Sequence, residues 1–144
     1  QRGENLGARM LNAFSERFRE GYRRVVIIGS DSPSLPLDYI LQSLSSEKDV
    51  VLGPSADGGY YLIGMRENLV NLFDGVAWGE DTVLEETRIK LEESGASLEM
   101  LPIWYDVDRA EDLKFLKTHL ELLAKEGKKE GTSTRKFLRK LSLA

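Results

Sequence analysis

The stretch "VVIIGSDSPSL", Val25 to Leu35, decides how this chain is read. Four β-branched residues run without a polar break and stop at Gly29, and a carboxylate, Asp31, follows two residues on. A continuous apolar run of this length reads as a strand buried on both faces of a sheet. Other runs build outward from it. Leu6, Met10, Leu11, Phe14 and Phe18 fall at helical spacing before it, with Gly21 as a stop. After it, Ser34 is a candidate cap for a short helix carrying Leu37, Ile40, Leu41 and Leu44. Strands are expected at Asp49 to Leu52, Tyr60 to Ile63 and Leu98 to Leu101. Short apolar spacing suggests a helix around Leu69 to Phe73. Another helix carries Glu80 and Asp81 in its first turn and ends at Gly95, and a last core helix places Leu113, Leu116, Leu120 and Leu123 in register.

Strands alternating with helices imply an α/β fold with a mostly parallel, mixed sheet flanked by helices. In such sheets ligands collect at the carboxyl ends of the strands, which is where Asp31 falls. From Lys125 onward the chain becomes rich in Lys and Arg around Gly127 and Gly131. The division expected is residues 1–120 as the α/β portion and 121–144 as a basic helical or flexible tail, most simply solvated.

Composition narrows the chemistry. Of 144 residues none is cysteine and one is histidine, His119, so thiolate chemistry and multi-histidine metal sites are excluded. Any metal would be held by oxygen ligands. The net charge of −4, with no basic stripe through the body, argues against nucleic acid as a partner. No apolar run reaches membrane-spanning length and no signal-peptide pattern opens the chain, which suits a cytoplasmic protein. The chain opens on Gln1, so it is expected to begin inside a longer product.

Several residues are candidates for chemistry, each with a plainer role beside it. Asp31 is either a metal ligand at a strand end or the side chain of an Asx-type turn. Asp108, in the "DVD" of Asp106 to Asp108, is either a second ligand or part of a capping box with Glu111. Together the two could clamp one divalent cation, since magnesium takes one or two protein carboxylates and leaves its other positions to water and phosphate. In "DGGYY", Asp57, Gly58 and Gly59 either admit a ligand close to the backbone or make a tight turn. Of Tyr60 and Tyr61, one is expected to pack and the other to line a cleft. Trp78 either stacks on a sugar or base or covers the core. Glu80 or Asp81 is a base or part of a solvated turn.

Taken in order, "VVIIGSDSPSLP", "DVVLGPSADGGYYLIGM", "LF…AWGEDTVLEET" and "LPIWYDVDRAEDL" resemble the nucleotide-diphospho-sugar transferase family, which is GT-A-like and similar to the guanylyltransferases of molybdenum-cofactor and phospholactate metabolism. The resemblance runs from about Gln1 to Leu116. It implies a Mg²⁺ or Mn²⁺ cofactor held by Asp31 and Asp108, with Asp106 a further ligand. It also implies a sugar-nucleotide or nucleotide substrate bordered by Ser30, Asp57, Gly58, Gly59 and Tyr60, and an acceptor-side aromatic in Trp78. The reaction implied is glycosyl transfer from a nucleotide-diphospho-sugar. Nucleotidyl transfer and a non-catalytic binding module remain alternatives. The family begins with a strand and a nucleotide-gripping loop that have no counterpart after Gln1. An incomplete fold is therefore expected, with an open sheet edge that invites homo-oligomers.

Overall fold

The computed structural model describes residues 3–141. Four strands form one mixed sheet: β1 (Arg24–Ile28), β2 (Val50–Pro54), β3 (Tyr60–Arg66) and β4 (Leu98–Met100), in the order β1-β3-β2-β4. Helix α1 (Leu6–Arg19) precedes β1, α2 (Leu37–Ser45) joins β1 to β2, and α3 (Val83–Ser94) lies between β3 and β4. Helices α4 (Ala110–Lys125) and α5 (Thr132–Leu138) close the described chain. β3 runs antiparallel to both β1 and β2, while β2 and β4 are parallel. Thus β1, β2 and β4 point the same way and β3 is the reversed member. All three parallel strands present their carboxyl ends at one edge.

Two apolar clusters cover the sheet. Met10 and Phe14 of α1 pack with Val50, Leu52, Ile63, Met65, Leu72, Phe73 and Leu91. Val51, Tyr61, Leu62 and Leu101 pack with Tyr39 and Ile40 of α2 and with Trp104. The α2 helix sits close on the sheet, because a Cβ at Gly64 would come within 2.7 Å of the Ser43 hydroxyl. A third cluster joins Leu116 and Leu120 of α4 to Leu138 of α5.

Several expectations change here. β1 is half-buried rather than enclosed, since it is an edge strand with one neighbour among the described residues, and Ile28 is largely exposed. β2, in the middle, is the strand buried throughout. No helix forms at Leu69 to Phe73. The Asn71 carboxamide accepts from the amides of Phe73 and Asp74, which turns the chain, and Leu72 and Phe73 enter the core from an irregular segment. Glu80 and Asp81 precede α3, whose first turn holds Glu85 and Glu86 instead. Ser34 does not cap α2; Pro36 occupies that position and Ser34 is fully buried. The segment expected to be a solvated tail is helical over much of its described length. Arg139 forms a bidentate pair with Glu121 at 2.6 Å on both arms, and Leu138 is 2 % exposed. The last residues of the expected basic tail, 142–144, lie outside the described residues.

Candidate acidic site at the carboxyl edge of the sheet

Three segments meet where the parallel strands end: Gly29 to Pro36 after β1, Ser55 to Gly59 after β2, and Leu101 to Arg109 after β4. The β2–β4 pairing continues past the strands. Trp104 donates its amide to Pro54 (3.1 Å) and accepts from Ala56 (3.2 Å), and Ser55 bridges Trp104. The first and third segments are fastened separately. The Val107 amide donates to the Asp31 carbonyl (2.9 Å), and the Ser32 hydroxyl donates to an Asp106 carboxylate oxygen (2.7 Å).

Asp31 and Asp108, far apart in sequence, are therefore brought to one edge. Neither side chain takes the structural role that would have explained it. Among the described residues Asp31 makes no Asx turn, and the partner its carboxylate accepts from is the neighbouring Ser30 hydroxyl, at 3.1 Å. Asp108 is not the helix cap. The residue at the N-cap is Arg109, and the carboxylate that reaches back is Asp112, accepting from the amides of Asp108 (3.0 Å) and Arg109 (2.8 Å). The expected partner, Glu111, plays no part in those bonds. Partial loss of water pushes the Asp108 carboxyl above its usual range, and the negative charges of Asp106, Asp31 and Asp57 push it the same way. The edge thus holds uncompensated negative charge.

The remaining candidates are placed as follows. Asp57 folds a turn on itself, accepting from the Ser55 hydroxyl (2.6 Å) and the Gly59 amide (3.1 Å). The Ser55 bond, chiefly, holds its carboxyl below the usual range. Gly58 has φ of 94°, and a Cβ there would lie 2.4 Å from the Asp81 carbonyl oxygen, so the protein's own backbone occupies that space. At Gly59 the nearest neighbour of a Cβ would be 3.4 Å away. Tyr60 packs against the α1-side core, edge-on to Trp78 at 6.3 Å between ring centres, and burial pushes its phenol up. Tyr61 is buried as well, donating its hydroxyl to the Pro102 carbonyl at 2.9 Å. Both tyrosines pack, where one was expected to line a cleft. Trp78 lies over Phe73 and Tyr60, close to Gly7 of α1.

Among the described residues no group of three or more His, Cys, Asp or Glu side chains is disposed to hold a metal ion. Two carboxylates that are not tied up in capping or turns still fit a magnesium-type ion, which needs no more from the protein when water and phosphate complete the shell. Sequence reasoning missed Ser32, Ser34, Tyr105 and His119 at this edge. Their partners lie far along the chain, so no local pattern marks them.

A mixed sheet with three parallel strands ending on a cluster of carboxylates, and with helices on its faces, has the fold of nucleotide-diphospho-sugar transferase-like proteins. The chain belongs to the family described as "Uncharacterized protein conserved in bacteria (DUF2064)", whose model matches residues 1–80. It is similar to a solved structure, a "putative nucleotide-diphospho-sugar transferase from Desulfovibrio desulfuricans G20", with 40% sequence identity and a TM-score of 0.78. That likeness covers 81% of this chain and 52% of the other, so this chain spans about half the length of that protein. No curated protein matches the chain. No helix among the described residues is long and apolar enough to cross a membrane.

Proposed function

We propose that this chain takes part in cation-assisted transfer of a glycosyl group from a nucleotide-diphospho-sugar donor to an acceptor. The observation that carries the reading is the pairing of Asp31 and Asp108 at one sheet edge with neither carboxylate used for a turn or a cap. The likeness to a protein described as a nucleotide-diphospho-sugar transferase supports the donor class. A Mg²⁺ or Mn²⁺ ion held by Asp31 and Asp108, with Asp106 beside them, would supply charge neutralisation for a departing diphosphate. In the reaction the bond from the anomeric carbon to the diphosphate oxygen breaks, and its electron pair leaves with the diphosphate. The acceptor oxygen bonds to that carbon and loses its proton to a base.

The chain's own residues have distinct parts in this reading. Asp31 and Asp108 would hold the ion. Asp106, with one oxygen engaged by Ser32, contributes charge more than a free ligand position. Ser30 and Gly59 border the donor, where Gly59 leaves room for it, and the Asp57–Gly58 turn shapes that border.

The test is a Mn²⁺ titration of the chain, followed by paramagnetic broadening of backbone amide signals. Joint broadening of Gly29–Ser32 and Asp106–Arg109, lost in Asp31→Asn, is expected. Broadening of one segment without the other sinks the paired site.

A further inference from the structure

A second fastening joins the same two segments farther from solvent. The Trp104 indole N–H lies 3.2 Å from the Ser34 hydroxyl, that hydroxyl lies 2.7 Å from the Tyr105 hydroxyl, and the Tyr105 hydroxyl lies 2.7 Å from His119 Nδ1. The direction of every proton follows from the first donor. An indole N–H only donates, so Ser34 accepts there and spends its one proton on Tyr105. Tyr105 then has its own proton to place, and a bare His119 Nδ1, 2.7 Å away, is the acceptor that leaves no proton of the chain unplaced. The imidazole is then neutral, with its proton on Nε2.

Reversal is costly. If Nδ1 carried a proton the three contacts would have four protons to place, and the Ser34 or the Tyr105 proton would lose its acceptor. Ser34 is fully buried, so no solvent replaces that acceptor. The charged groups around the imidazole line one groove with it: Asp38 from α2, Glu126 from the end of α4, and Lys128 and Glu130 from the connection to α5. Trp104, Tyr105 and Phe115 surround the ring itself.

The chain's location gives it a consequence. Asp31 is tied to Val107, Ser32 to Asp106 and Ser34 to Tyr105, three successive ties between the segment after β1 and the segment after β4. His119 anchors the innermost tie to α4. We propose that Ser34, Tyr105 and His119 are positioning residues, a one-way hydrogen-bond chain that holds the Asp106–Asp108 segment against the Asp31 loop only while the His119 imidazole is neutral. The positioning stands on geometry alone. Its effect on cation binding rests on the function proposed above.

Two measurements separate the two claims. In the metal-free chain, the amide signals of Ser32, Asp106 and Val107 are followed with the His119 imidazole from about pH 8 to about pH 5, the range in which histidine changes charge. The amides are expected to move with the imidazole. They are expected to stay in place in His119→Asn, whose carboxamide oxygen still accepts from Tyr105 and takes no proton. Still amides in the native chain, or equal movement in both proteins, overturn the positioning role. Mn²⁺ affinity is then expected to fall on acidification by roughly tenfold more in the native chain than in His119→Asn, the scale set by one buried donor left unpaired. Tyr105→Phe, which keeps the ring and loses the donor, is expected to bind weakly at every pH. Equal losses in the native chain and His119→Asn overturn the link to the cation. If no Mn²⁺ binds at all, the cation reading falls, and the amide result alone upholds or overturns the positioning role.

Discussion

Two carboxylates four residues apart, Asp108 and Asp112, are expected to contribute to stability with opposite signs. Asp108 has its carboxyl raised above the unfolded value by lost hydration and by Asp106, Asp31 and Asp57. A group with a raised folded pKa favours folding below its unfolded pKa, and that contribution is lost as pH rises through the folded pKa. At neutral pH its ionised form therefore disfavours the folded state. The side chain is exposed, so water screens most of the repulsion, and removing the charge should return no more than about 1 kcal/mol. For a chain of this size that corresponds to a rise in Tm of at most about 3 °C for Asp108→Asn at neutral pH. The gain should shrink in acid, where the native carboxyl is protonated. Asp112 accepts from two amides at the start of α4, and Asp112→Ala should cost about 1 kcal/mol, a fall of about 3 °C. Calorimetry of the native chain and both variants, at neutral and acid pH, checks the pair. A fall in Tm for Asp108→Asn at neutral pH would refute the electrostatic account, because it would mean that the carboxylate supports the fold. Adding Mn²⁺ should then raise the Tm of the native chain and leave that of Asp108→Asn unchanged.

Gly58→Ala combines a left-handed φ with a Cβ placed 2.4 Å from a backbone oxygen, and chemical denaturation should show a loss of roughly 1–3 kcal/mol. The damage should centre on the Gly58–Leu84 contact, where the Leu84 amide donates to the Gly58 carbonyl at 2.9 Å. Leu120→Ala removes the side chain that holds α4, α5 and Gly131 together. A loss of about 2–5 kcal/mol is expected, with new proteolytic cleavage between Glu126 and Gly131 while the sheet resists.

Much of this architecture can be read from local pattern. The apolar spacing in α1, the apolar runs of β1 and β2, and the left-handed Gly95 after α3 are determined by residues within a few positions of one another. The convergence of Asp31 and Asp108 was also legible, because both lie just past strands that point the same way. What the apolar pattern missed was decided by particular side-chain hydrogen bonds, some local and some long-range. Leu69 to Phe73 has the apolar content of a helix, yet the Asn71 side chain and the positive φ of Gly75 turn it into an irregular segment. Ser34 has the look of a cap, and its hydroxyl instead serves Trp104 and Tyr105, about seventy residues away in sequence. The capping carboxylate of α4 is Asp112 rather than Glu111. That one-residue difference frees Asp108, and only the geometry of the helix start decides it.

The strand order β1-β3-β2-β4 also sets a schedule for synthesis. Among the described residues β1 pairs only with β3, beginning once Leu62 has emerged opposite Ile28, and β2 is released before either of its partners. The segment carrying Asp108 comes after every described strand, so Asp31 and Asp57 reach the edge before it does. Asp106 and Asp108 join them when Val107 docks on the Asp31 carbonyl. Chain order thereby delivers Asp106 and Asp108 to the edge after the described strands, where a cation present in the surroundings can accompany them.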